Sequence, residues 1–128
     1  MNECKIKIFD EDQPSFEYRG SLDKENGAYK LRYSHVEDGA KSDYELCVKA
    51  DELEILRFGN SSMKMRISSK GKTPLEIAIS EGKFVGEIET NAYEFTENGG
   101  VIKVVAEYDM IMEGERICRK ITLEAKPI

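Results

Sequence analysis

The chain has 128 residues, 34% of them charged, and a formal net charge of −6, which fits a single domain over residues 1–128 with a solvated exterior. The acidic balance and the lack of a Lys/Arg cluster argue against a nucleic-acid partner. No apolar run approaches the roughly 20 residues a membrane helix needs. The opening Met1-Asn2-Glu3-Cys4-Lys5 has no charged stretch followed by an apolar one, so a cytoplasmic location and no membrane partner are expected.

Taken in order, the chain reads as short strands separated by turns. Cys4, Ile6 and Ile8 alternate with charge and mark a first strand, and Asp10-Glu11-Asp12-Gln13-Pro14 ends it. The acidic triplet lacks the glycine-bearing pattern of a calcium loop and reads as a solvated turn. Phe16, Tyr18 and Leu22 mark a second strand, with Gly20 expected at a bulge or a barrel kink. Asn26-Gly27 is a tight-turn dipeptide. Tyr29, Leu31, Tyr33 and His35 then share one face, and Asp38-Gly39 turns into Tyr44, Leu46 and Val48.

Leu53 to Ile67 forms the clearest hairpin: two alternating runs flank Gly59-Asn60-Ser61-Ser62, with Leu53, Ile55, Met63, Met65 and Ile67 on the buried side. Arg57 falls in phase with Leu53 and Ile55, so its guanidinium turns toward the apolar side. Beyond Lys70-Gly71-Lys72, Leu75, Ile77 and Ile79 alternate, with Pro74 at the strand start where a missing donor is tolerated. Glu81-Gly82 leads into Phe84, Gly86, Ile88 and Thr90, and Tyr93 and Phe95 follow a bend near Ala92. After Asn98-Gly99-Gly100, the run Val101–Ile111 is apolar on more than one face, as a strand covered on both sides would be. Glu113-Gly114 opens the last strand, where Ile117, Arg119, Ile121, Leu123 and Ala125 share a phase.

Nothing sustains a helical period. About nine or ten strands with short links favour an all-β, closed or nearly closed antiparallel up-and-down barrel of about 8–10 strands over a sandwich, because closure removes edge strands. Cys4, Cys47 and Cys118 are odd in number and widely spaced, which fits reduced thiols and neither a disulfide framework nor a metal site.

The run Leu46-Cys47-Val48-Lys49 through Leu53-Glu54-Ile55-Leu56-Arg57-Phe58-Gly59, then Met63 and Ile67, resembles the YwiB-like family of small bacterial proteins of unknown function. Gly99-Gly100 followed by Tyr108-Asp109-Met110 is similar to that family's last hairpin, and Tyr33 matches a strand tyrosine. The chain departs from the family at His35, where a Glu is frequent, and at Ile79-Ser80-Glu81-Gly82, a loose echo of a Thr-Pro-Tyr-Gly-like turn. The resemblance implies a calycin-like (lipocalin-like) barrel and brings no activity.

The inventory for chemistry is thin. There is one histidine, His35, and no nucleophile elbow, phosphate loop or dinucleotide fingerprint, so no enzyme, metal or cofactor is expected. Glu87, Glu89 and Glu107 fall on the solvent phase. Arg57 and Arg119 share the inward phase with Tyr18, Tyr33, Tyr44, Tyr108, Thr90 and His35, and no acid joins them in mid-strand. A planar guanidinium there suits an anionic or amphipathic ligand in the lumen, held by Arg57, Arg119, Tyr33, His35, Tyr108 and Thr90. The competing reading sends both arginines to the barrel rim, Arg119 being taken to start its strand, and makes the tyrosines packed core. The alternative function is a non-enzymatic interaction or structural module with a filled core. Leu56, Phe58, Val101 and Val105, on the outward phase, would then supply a patch for a homodimer, unless the N-terminal strand covers it.

Overall fold

The computed structural model describes the backbone of residues 2–10 and 13–128, and their side chains apart from residues 10, 13–15 and 37. The acidic turn expected at Asp10-Glu11-Asp12 therefore includes residues outside the described set. Ten strands make up the chain: β1 (Asn2–Asp10), β2 (Gln13–Glu25), β3 (Ala28–Glu37), β4 (Ala40–Val48), β5 (Glu52–Phe58), β6 (Ser62–Ser68), β7 (Lys72–Ile79), β8 (Gly82–Asn98), β9 (Val101–Met112) and β10 (Glu115–Pro127). No helix occurs among the described residues, and so none long and apolar enough to cross a membrane.

The strands follow one another around a closed antiparallel ring, which β1 completes by pairing with both β2 and β10. Four of the two-residue links, Asn26-Gly27, Asp38-Gly39, Gly99-Gly100 and Glu113-Gly114, have positive φ at both positions. That geometry matches the twist of the flanking strands and fixes their register. Glu113, at φ 49°, adopts it without the glycine or asparagine that usually does.

Alternation sets the inside. At the end carrying the β2–β3, β4–β5, β6–β7 and β8–β9 turns, Cys4, Ile6, Leu22, Tyr29, Val48, Leu53, Ile67, Ile102 and Ala125 fill the lumen and are buried. The Tyr93 hydroxyl donates to the Lys49 carbonyl at 2.8 Å, tying β8 to the β4–β5 turn across this base. The Phe95 ring sits 6.1 Å from Tyr29. At the opposite end, inward-phase Phe16, Ile79, Phe84 and Ile117 are 36–44% exposed, so the barrel is filled below and open above.

Several expectations change. The Val101–Ile111 run lies in a wall with one buried face: Ile102, Val104, Ala106 and Tyr108 are buried, while Lys103 and Glu107 between them are exposed. Leu56 and Phe58 sit on β5 and Val101 and Val105 on β9, with β6, β7 and β8 between, so the four do not form one patch. The N-terminal strand covers none of them, because β1 is part of the wall. Gly20 marks no bulge, since β1–β2 pairing runs through it in register; the shift there lies between Ile8 and Asp10. The bend near Ala92 is a bulge between Thr90 and Ala92. Arg119 does not start its strand, because β10 begins at Glu115.

Candidate ligand site in the barrel lumen

One row of cross-strand partners organises the upper lumen. Tyr33 on β3 faces Tyr44 on β4, Tyr44 faces Arg57 on β5, and Arg57 faces Met63 on β6. The Asp38-Gly39 turn sets the first pairing, since Tyr33 and Tyr44 each lie five residues from it. The rings stack with centroids 4.7 Å apart and an interplanar angle of 7°. Tyr18 continues the stack on the other side of Tyr33 at 4.5 Å, Phe16 extends it at 6.2 Å, and His35 sits edge-on to Tyr18 at 5.4 Å. Each such pair contributes about 0.5–1.5 kcal/mol beyond burial, which makes this a rigid aromatic wall.

A cavity of about 240 Å³ opens against that wall. Tyr33, Tyr44 and Arg57 supply its polar lining, and Ile8, Leu46, Leu53, Ile55, Met63, Met65, Ile121 and Leu123 the apolar remainder. The Arg57 Nε is buried with no hydrogen-bond partner among the described residues. No hydrogen bond between described residues uses the Tyr33 or Tyr44 hydroxyl either. Burial, reinforced by the neighbouring Tyr44 and Tyr18 phenols, pushes the Tyr33 phenol well above the ordinary tyrosine value. It therefore stays a neutral donor. Buried polar groups in folded proteins are nearly always paired, so an orphan Nε beside two uncommitted phenols is an exception that calls for an explanation. Together they form a donor set, with no acid lining the cavity.

Of the residues singled out from the sequence, Arg57 and Tyr33 meet in this cavity. His35 belongs to the aromatic stack and does not line it. Arg119, Tyr108 and Thr90 form a separate row across β10, β9 and β8, outside the cavity lining. Tyr108 is buried, Tyr108 and Arg119 both have partners, and the Thr90 Oγ1 is buried without one among the described residues. The Arg57 Nε is out of water, while the residue as a whole is half-buried and also lines an outer groove with Phe58, Lys64 and Lys83. Tyr44, Met63 and Ile121 were missing from the sequence-level site. The turn register alone would have placed Tyr44 beside Tyr33.

The outer surface carries ordinary ion pairs. Arg116 donates to Asp109 at 2.7 Å and lies 3.5 Å from Glu89, and its hydrogen bond holds the Asp109 carboxyl below the usual carboxylate value. No group of three or more His, Cys, Asp or Glu among the described residues is arranged to hold a metal. The three cysteines are free: Cys4 is buried, Cys47 half-buried and Cys118 exposed.

The crystal structure of the ywiB protein from Bacillus subtilis shares this fold, with a TM-score of 0.74 at 19% identity over 98% of this chain and 89% of that one. No curated protein matches the chain. Residues 3–124 match the family described as a domain of unknown function, DUF1934, and the chain thus belongs to that family of YwiB-like barrels.

Proposed function

We propose that the barrel binds a small amphipathic anion in its lumen, without catalysing a reaction. The observation that carries this reading is the buried, unpartnered Arg57 Nε lining a cavity otherwise walled by two phenols and eight apolar side chains. A buried guanidinium nitrogen with no partner is costly. A carboxylate or similar head group would meet that need, because the planar fork suits two oxygens and charge-assisted hydrogen bonds are the strong ones. The phenols would add neutral donors. The apolar lining would take a short hydrocarbon tail. At about 240 Å³ the cavity lies just below the usual range for ligand pockets and has room for roughly eight water-sized groups. That size favours a short chain over a sterol or a long-chain lipid. The filled lower half supports the alternative of an interaction module, but a module gives the orphan Nε no role.

Calorimetry with straight-chain carboxylates of four to twelve carbons, each against its matching alcohol, tests the reading. Saturable binding that peaks at intermediate length and weakens at least tenfold in the alcohol is expected. Equal binding of acid and alcohol, or none in either series, would leave the filled-core module as the better account.

A further inference from the structure

We propose that the lumen is loaded from the side, through a split between β2 and β3 that the stacked Tyr18 and Tyr33 rings close; this rests on the ligand reading above. The β2–β3 ladder runs from Glu25–Ala28 to Ser21–Arg32 and stops there. Among the described residues, no pair joins residues 13–20 of β2 to residues 33–37 of β3, although the first segment pairs with β1 and the second with β4. Above Arg32 the two strands meet through ring stacking, Tyr18 on Tyr33 at 4.5 Å. Passage there requires rotation of side chains, whereas passage through a laddered stretch of the wall would break ladder hydrogen bonds.

Gly20 marks the foot of the split. A Cβ built on it would lie 2.1 Å from the Arg32 carbonyl oxygen and 3.0 Å from the Tyr33 Cβ, so the two backbones are pinched together at that point. Outside the split lies a groove of about 490 Å³ lined by Arg19, Arg32, Ser34 and Asp43 among others. Tyr33 and Tyr44 line both this groove and the lumen cavity. Arg57 and Met63 likewise line both the cavity and a second outer groove, on β5 and β6, so entry from the open end is the competing route. Between β2 and β3 above Arg32, the Tyr18–Tyr33 ring stack closes the wall where the ladder does not.

A cleavable staple decides between the two routes. Arg19→Cys and Ser34→Cys, placed in a Cys47→Ser, Cys118→Ser background, would be joined by a bis-maleimide with a reducible linker. Octanoate association would be followed by stopped-flow tyrosine fluorescence, since the chain has six tyrosines and no tryptophan. The stapled protein should keep its equilibrium affinity and associate at least tenfold more slowly, and cleaving the linker should restore the rate. A stapled rate within twofold of the unstapled one would overturn the side entrance while leaving the ligand reading standing, as would a slow rate that cleavage does not restore. No saturable octanoate signal in the unstapled protein would instead sink the ligand reading, and the entrance with it.

Discussion

Replacing Arg57 with methionine separates a ligand residue from a structural one. The Nε is buried without a partner, and an unsatisfied buried donor costs about 1–3 kcal/mol. Methionine keeps an unbranched apolar stem against Tyr44 and Met63 and removes that cost. Arg57→Met should therefore raise stability by about 1 kcal/mol, or about 3–5 °C in melting temperature for a chain of this size. Octanoate at a hundred times its dissociation constant should stabilise the wild type by about 2.7 kcal/mol. Losing a charge-assisted hydrogen bond costs about 1.5–3 kcal/mol, up to roughly a hundredfold in affinity. At the same octanoate concentration the variant would then gain only about 0.4 kcal/mol. Guanidinium chloride unfolding of both proteins, with and without octanoate, measures all four quantities. A variant that loses more than about 1 kcal/mol and still responds to octanoate as the wild type does would refute the ligand role and show Arg57 to be structural.

Three further outcomes are expected. Tyr33 and Tyr93 are both held above the ordinary tyrosine value of about 10, chiefly by burial, so the folded state keeps protons that the unfolded state releases; their contribution is intact below that value and is lost as pH rises through the raised folded values. An alkaline titration at 295 nm should then show two of the six tyrosines ionising only late or with unfolding, and six uniform titrations would contradict it. Native thiol labelling should modify Cys118 first and Cys4 only on unfolding, because burial both shields the Cys4 thiol and pushes its pKa up; denaturing, non-reducing titration should count three thiols. Gly20→Ala should cost about 1–3 kcal/mol, since the added methyl meets the Arg32 backbone; a neutral result in denaturant unfolding would mean the strands are not pinched there.

Much of the barrel was legible because its signals are local. Alternation reports which side a residue faces, and Asn26-Gly27 or Asp38-Gly39 reports a two-residue hairpin through backbone sterics alone. Arg57 was legible for the same reason, two positions after Ile55. What needs the closed ring was hidden. Leu56 and Val105 both read as outward, but how far apart they sit depends on the strands between them. Thr90 and Arg119 share the inward phase with Arg57, yet they form their own row on β8–β10, because phase gives a face and no position around the circumference. The split above Gly20 left no mark, since Phe16 and Tyr18 alternate just as a fully paired strand would.

The most direct test of a ligand-binding lumen is an NMR titration of methyl-labelled protein with octanoate. Of its five methionines, Met63 and Met65 line the cavity, while Met110 and Met112 do not. Saturable shifts at the Met63 and Met65 methyls, with contacts to the octanoate chain and a matching shift of the Arg57 Nε proton, are the predicted result. Unchanged Met63 and Met65 signals through saturating octanoate, or shifts confined to Met110 and Met112, would contradict it.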